Sequence, residues 1–321
     1  MATVFVTREI PESGLEKLRQ AGHDVVVSEK DGVLTKSEFL ASLAAHNPDA
    51  IISLLTDTID ADVLEAAPRV QIIANYAVGY NNISVEDAKA REIIVTNTPG
   101  VLTDTVAEHT IALMLAITSR IPEADRYTRT GEYKGWAPML FLGTDLKGKT
   151  LGVLGAGRIG SRVAEIASKG LGMNIIYHDV KENEFLNSEL HAQRKEAVED
   201  VLRESDVVTV HVPLLDSTRH LLDEAMIRLM KPSAYLINSS RGPVIDEAAL
   251  VAALQNREIK GAALDVFEHE PEMTPGLADL ENVVITPHIA SATEETRGKM
   301  SDMVAANVIA ALAGNTPPNQ V

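Results

Sequence analysis

A chain of 321 residues is too long for one ordinary core and long enough for two α/β domains. Its formal charge of −17 repels phosphate backbones and anionic lipid heads, which argues against nucleic acid or a membrane as partner, and any site for an anionic substrate must gather positive potential locally. The absence of cysteine removes disulfide and thiolate chemistry and fits a reducing cytoplasm, and with aromatics at only 4% the core must be built from Val, Ile, Leu and Ala, as buried parallel sheets prefer.

Residues 1–9 carry no basic leader ahead of a long apolar stretch, so no signal peptide is expected. From there short β-branched runs alternate with amphipathic segments, the pattern of βαβ units and parallel sheets. Strands are predicted at 3–7, 23–28, 50–55, 71–76 and 93–96. Between them Thr35-Lys36-Ser37-Glu38 reads as a capping box ahead of Phe39, Leu40 and Leu43, with shorter helices at 60–67 and 84–90. A long helix follows over 105–119; its apolar run, 111–117, is far short of the roughly 20 residues a membrane span needs. Residues 121–148, with Gly131, Gly135, Pro138, Gly143 and the single Trp136, show little periodicity, and a connection of that length often has a job. A second alternating block has strands at 150–154, 174–178, 206–210, 233–237, 261–266 and 282–286. A helix over 293–313 closes the pattern, able to pack back on the first block, and 315–321 reads as disordered.

Gly155-Ala156-Gly157-Arg158-Ile159-Gly160 matches G-x-G-x-x-G, and its context carries more weight than the match. It follows the apolar strand 151–154 and opens a helix with Val163, Ile166 and Ala167 on one face. In such a turn Gly155 permits the tight bend, Gly157 lets the backbone approach a pyrophosphate, and Gly160 lets helix and strand pack closely. The helix N-terminus offers free N–H groups to phosphates. Asp179 ends the next strand, about 20 residues on, where a carboxylate accepts hydrogen bonds from the adenosine ribose and repels a 2′-phosphate. The cofactor expected is therefore NAD.

Three charged segments follow later strands: Asn238-Ser239-Ser240-Arg241-Gly242, Leu264-Asp265 through Glu270-Pro271, and Thr286-Pro287-His288-Ile289-Ala290. Ligands of doubly wound sheets bind at the carboxyl ends of strands, so all three share an edge with the glycine turn. Arg241 can pair bidentately with a carboxylate, His288 can donate a proton near neutral pH, and Glu270 within reach would stabilise the protonated imidazole. Together they suit the reduction of a 2-keto acid. His211-Val212-Pro213 ends a strand at the same edge, placing Val212 and Pro213 against a cofactor. Asp265 is open between holding a carboxamide and a structural role. No metal-ligand spacing appears.

On these segments the chain resembles the D-isomer-specific 2-hydroxyacid dehydrogenase family, and within it the glyoxylate/hydroxypyruvate reductases. Further blocks carry the likeness: 75–83 is similar to that subgroup's substrate loop, 96–103 to its interdomain crossover, and 131–143 to its dimerisation arm. The resemblance implies two doubly wound parallel-sheet α/β domains with a cleft between them. A flavodoxin-like substrate domain would comprise 1–101 and 290–321, and a Rossmann NAD-binding domain 102–289, with a dimerisation arm at about 121–148. It implies that Arg241 binds the substrate, that Glu270 and His288 form the acid–base pair, and that Asp265 holds the carboxamide. Arg158 and Ile159 would face the pyrophosphate, while Leu54 and the N–H groups around Val78 and Gly79 would meet the substrate. A homodimer is implied, in which Trp136 either enters the partner subunit's substrate pocket or only packs in the interface. Reductases of this subgroup that prefer NADP carry Ser/Arg where Asp179 stands.

The loops 53–57 and 75–82 contain no Lys or Arg, which disfavours a phosphorylated substrate and leaves glyoxylate and hydroxypyruvate ahead. Leu54 and Leu55 would tolerate an apolar substituent, which keeps D-lactate-type activity as an alternative. A non-catalytic alternative is an NAD(H)-sensing corepressor.

Overall fold

The computed structural model describes residues 1–321, which form two compact units: a terminal unit of Met1–Leu102 with Ala292–Val321, and a central unit of Thr103–Ser291. The terminal unit holds strands β1 (Thr3–Val6), β2 (Asp24–Val27), β3 (Ala50–Ser53), β4 (Ile72–Asn75) and β5 (Ile94–Thr96) in one parallel sheet of order β2-β1-β3-β4-β5. One face is covered by Phe39, Leu43, Val63, Leu64 and Ala88 from the short helices. The predicted capping box is formed: the Thr35 hydroxyl accepts from the Glu38 N–H while Glu38 accepts from the Thr35 N–H. On this unit helix Glu294–Leu312 packs against helix Glu12–Gln20 and against β3, β4 and β5. The two helices meet so closely at Gly14 that a Cβ there would lie 2.2 Å from the Ser301 carbonyl oxygen.

The central unit holds β6 (Thr150–Leu154), β7 (Asn174–His178), β8 (Gln193–Arg194), β9 (Val207–Val210), β10 (Tyr235–Asn238), β11 (Gly261–Leu264) and β12 (Val283–Ile285). Its parallel sheet runs β12-β11-β10-β9-β6-β7-β8, doubly wound with the strand order reversing between β6 and β9. Helices Thr103–Thr118 and Arg158–Leu171 fill one face through Ala107, Ile111, Met114, Val163 and Ala167. Val201, Leu202, Ile227, Leu250 and Leu254 fill the other. No helix is long and apolar enough to cross a membrane.

Two expectations are corrected. Residues 315–321 are ordered rather than disordered: Thr96 bridges Gln320, the Val321 N–H donates to the Val95 carbonyl at 3.0 Å, and Val321 packs against the core. The edge of β5 offers unpaired backbone groups, and Pro317-Pro318 favour the extended chain that can meet them. The stretch from 121 also begins with a helix, Ile121–Arg129, that its apolar pattern did not announce. None of its residues is buried; Pro122 in the first turn and ion pairs Arg120–Glu123 and Arg129–Asp125 support it instead.

Candidate active site

The glycine turn leaves β6 at the reversal point of the central sheet. Gly155 has φ +95° and lies where a Cβ would be 2.7 Å from the His211 carbonyl carbon and the Val212 nitrogen, so the exit of β9 seals one side of the turn. A Cβ at Gly160 would lie 2.0 Å from the Gly155 carbonyl oxygen. Gly157 differs: a Cβ there meets nothing within 4 Å, so nothing in the protein itself demands glycine. Helix Arg158–Leu171 starts at Gly157 with no side-chain cap, leaving first-turn N–H groups and the exposed Arg158 beside that open space. Room and positive potential therefore coincide, as a dinucleotide's phosphates require. Ile159 is half-buried against the core.

Asp179 follows β7 directly. Its Oδ2 accepts from the Ala156 N–H at 2.7 Å and its Oδ1 from the Lys181 N–H at 3.0 Å, so the carboxylate lies against the glycine turn. Beyond β9, Val212 is half-buried and Pro213 exposed. His211 between them and the sheet accepts from or donates to the Thr209 hydroxyl at 2.8 Å, and burial pushes its pKa down to about 3, so it stays neutral.

At the carboxyl ends of β10, β11 and β12 the three charged segments converge. His288 Nδ1 and Glu270 Oε2 are 2.9 Å apart. The other Glu270 oxygen accepts from the Phe267 N–H at 3.1 Å, fixing the carboxylate against its own loop. Arg241 is half-buried, donates to the Ser240 carbonyl at 2.7 Å, and feels Glu270: burial pushes its pKa down, while the Glu270 charge opposes this. The close passage that allows this is set at Gly242, where a Cβ would fall 1.8 Å from the Phe267 carbonyl oxygen. Imidazole, carboxylate and guanidinium thus form one cluster on three different loops.

His288 adopts φ +54°, a left-handed conformation that costs a non-glycine residue about 1 kcal/mol or more. Asp265 holds it there. This carboxylate is fully buried; its Oδ1 accepts from the Ile289 N–H at 2.9 Å and from the Thr286 hydroxyl, and its Oδ2 from the Ala290 N–H at 2.8 Å. Both Asp265 oxygens are turned toward the loop that carries His288, the structural role that the sequence left open beside a carboxamide contact. Burial pushes its carboxyl up, but the bonds from His109, Thr286 and the Ile289 and Ala290 N–H groups outweigh that and hold it below the usual carboxylate range.

His109 was missed by the sequence reading. On helix Thr103–Thr118, its Nε2 lies 3.2 Å from the Thr286 hydroxyl and 3.4 Å from Asp265 Oδ1. A histidine inside an amphipathic helix gives no sign of a partner 156 residues on; only the fold brings them together.

In the terminal unit, Leu54, Val78 and Gly79 are half-buried at the carboxyl ends of β3 and β4. The loops have no cation of their own, yet the fold supplies two nearby. The Arg297 guanidinium lies 6.0 Å over the Tyr76 ring, and Arg8 acts on the Asp57 carboxyl. Loop composition therefore understated the positive charge at this edge. Trp136 is 83% exposed and Met139 75%, with Ile121, Tyr133 and Leu142 more than half exposed, so this segment presents apolar surface to solvent.

The family model for the D-isomer specific 2-hydroxyacid dehydrogenase NAD binding domain matches residues 111–290. The glyoxylate reductase of Korarchaeum cryptofilum is 50% identical over 321 residues, covering 99% of this chain and 95% of that one. A solved structure from Thermus thermophilus superposes with a TM-score of 0.93 at 40% identity, covering 99% of both chains. The NADPH-dependent glyoxylate/hydroxypyruvate reductase of Sinorhizobium meliloti, solved with NADP and malonate, has a TM-score of 0.87 at 33% identity and covers 100% of this chain and 96% of that one. The chain belongs to the D-isomer specific 2-hydroxyacid dehydrogenases, NAD(P)-dependent oxidoreductases.

Proposed function

We propose that this protein reduces glyoxylate and hydroxypyruvate to their D-2-hydroxy acids with NADH. One observation carries the reading: an imidazole 2.9 Å from a carboxylate, beside a half-buried guanidinium, at the sheet edge that also bears the glycine turn. Bound reduced nicotinamide supplies the hydride. Arg241 pairs with the substrate's carboxylate and draws on its carbonyl oxygen. Glu270 engages His288 Nδ1, which leaves Nε2 to give its proton to that oxygen as hydride reaches the carbon. One hydride and one proton convert the keto acid to the hydroxy acid, and His288 takes a proton back from water. Leu54 and the N–H groups of Val78 and Gly79 are further candidate substrate contacts, as the family resemblance implies.

The turn at Gly155, Gly157 and Gly160, with Arg158, Ile159, Val212 and Pro213, would hold the dinucleotide, and Asp179 would take the ribose. A 2′-phosphate would meet the Asp179 carboxylate, which supports NAD here although the Sinorhizobium meliloti relative is NADPH-dependent. The apolar surface of 121–148 is assigned to a homodimer, with Trp136 at the interface. A cysteine-free chain suits the cytoplasm.

The test is loss of nicotinamide absorbance with glyoxylate, hydroxypyruvate, pyruvate and 2-ketoisocaproate, each with NADH and NADPH. Glyoxylate and hydroxypyruvate with NADH should give the highest kcat/KM. A preference for pyruvate or the branched acid would make this a D-lactate-type enzyme, and failure with every keto acid would favour an NAD(H)-sensing binding protein.

A further inference from the structure

Hydrogen bonds between β10, β11 and β12 hold the strands in register, but the loops beyond them need other ties. Helix Thr103–Thr118 packs against all three strands and touches two of those loops through consecutive residues. His109, half-buried, reaches the loop after β12: its Nε2 lies 3.2 Å from the Thr286 hydroxyl and 3.4 Å from Asp265 Oδ1. Thr286 gives its one hydroxyl proton to Asp265, and an ionised Asp265 has none to give, so the His109 Nε2 carries the proton and donates. Asp265 in turn accepts at 2.9 Å from the Ile289 N–H, which lies in the peptide plane that follows His288. Thr110, buried, reaches the loop after β10. Its hydroxyl donates to the Val106 carbonyl at 2.8 Å and lies 2.7 Å from the Ser239 hydroxyl, two residues before Arg241. With the Thr110 proton committed, Ser239 is the donor of that pair. Asn238 carries the constraint onward, donating from Nδ2 to the Arg241 carbonyl at 2.9 Å.

We propose that His109 and Thr110 are positioning residues through which one helix sets the spacing between His288 and Arg241, His109 serving the proton donor and Thr110 the cation. This rests on the reductase reading above. Its logic is geometric. Arg241 fixes where the substrate's carboxylate and carbonyl lie, and the imidazole must then stand within hydrogen-bond reach of the carbonyl oxygen. A misplacement of about 1 Å there can cost about 100-fold in rate. The two loops leave strands separated by β11, and His288 is held in a left-handed conformation, so neither loop can set the other's place. A packed helix is stiff on this scale. Its consecutive side chains point about 100° apart, which lets His109 and Thr110 serve two strand ends at once.

Paired substitutions separate positioning from packing. His109→Gln can keep a donor near the place of Nε2, whereas His109→Leu fills the space without one. Thr110→Ser keeps the hydroxyl, whereas Thr110→Val keeps the shape. Thermal unfolding checks that all four variants fold. With glyoxylate and NADH, His109→Leu should lower kcat about fivefold and leave KM nearly unchanged, as loss of one hydrogen bond behind the acid implies. Thr110→Val should raise KM about fivefold and leave kcat nearly unchanged. His109→Gln and Thr110→Ser should stay within about twofold of the wild type, and the NADH dissociation constant, read by nicotinamide fluorescence, should not move in any variant. Equal losses within either pair, or the same loss of kcat and KM from both helix positions, would overturn the proposal. Nitrogen NMR spectra of isotope-labelled histidines need no turnover: they should show His109 protonated at Nε2, and a proton on Nδ1 alone would contradict the network. A wild-type protein that reduces no keto acid would sink the reductase reading, and the histidine spectrum would still judge the ties from the helix.

Discussion

The two units share an architecture and differ in how their strand ends are furnished. At the carboxyl edge of the central sheet stand ionisable side chains: Asp179, Arg241, Glu270 and His288, with Asp265 beneath them. At the same edge of the terminal sheet the chain presents peptide groups, disciplined by Ser53, Asn75, Asn82 and Asn97. In the central unit the ionisable groups bond one another, whereas in the terminal loops neutral amides hold the backbone carbonyls, with Arg8 and Arg297 nearby. The lesson is that two units of like architecture can be furnished with different chemistry.

That contrast predicts unequal penalties. The largest should fall on the proton donor: His288→Ala should lower kcat by about 100-fold or more, with NADH affinity retained, since a positioned acid is typically worth 10²–10⁴. Near-normal turnover would move the acid elsewhere. Arg241→Ala should cost about 100-fold in kcat/KM for glyoxylate, and steady-state kinetics showing a loss below threefold would detach it from the substrate. Asp265→Asn tests support beneath the acid. An amide cannot accept from Thr286, Ile289 and Ala290 at once, so kcat should drop about tenfold and unfolding should occur a few degrees lower. An unchanged kcat would mean that the left-handed His288 holds itself.

Smaller effects sharpen the comparison inside the cofactor turn. Gly157→Ala meets no neighbour, so stability should hold while the NADH dissociation constant rises severalfold; Gly160→Ala, pressed on the Gly155 carbonyl, should destabilise by about 1–3 kcal/mol. Equal unfolding temperatures for the two variants would refute that division. Asp179→Ala should narrow the preference for NADH over NADPH by about tenfold, as removing one like-charge contact implies, and an unaltered ratio would take Asp179 away from the ribose.

The same contrast explains what could be read beforehand. Arg241, Glu270 and His288 were legible because charges at strand ends are conspicuous, and the glycine turn supplied a reason for them to share an edge. Alternating apolar runs placed the strands, because buried parallel strands leave continuous Val and Ile. What escaped notice depends on hydrogen-bond direction or on meetings distant in the chain. Asp265 could not be seen turning inward to the 286–290 loop, nor His109 reaching Thr286. The amide donors behind Val78 and Gly79 look like ordinary polar loop residues until their carbonyl partners are known. The helix Ile121–Arg129 hides because it buries nothing, and the last residues look unstructured because their order comes from the open edge of β5.

Chiral analysis of the product from hydroxypyruvate tests the central claim most directly. With NADH limiting, one D-glycerate should form for each NADH consumed. Formation of the L-enantiomer, or consumption of NADH without glycerate, would contradict it.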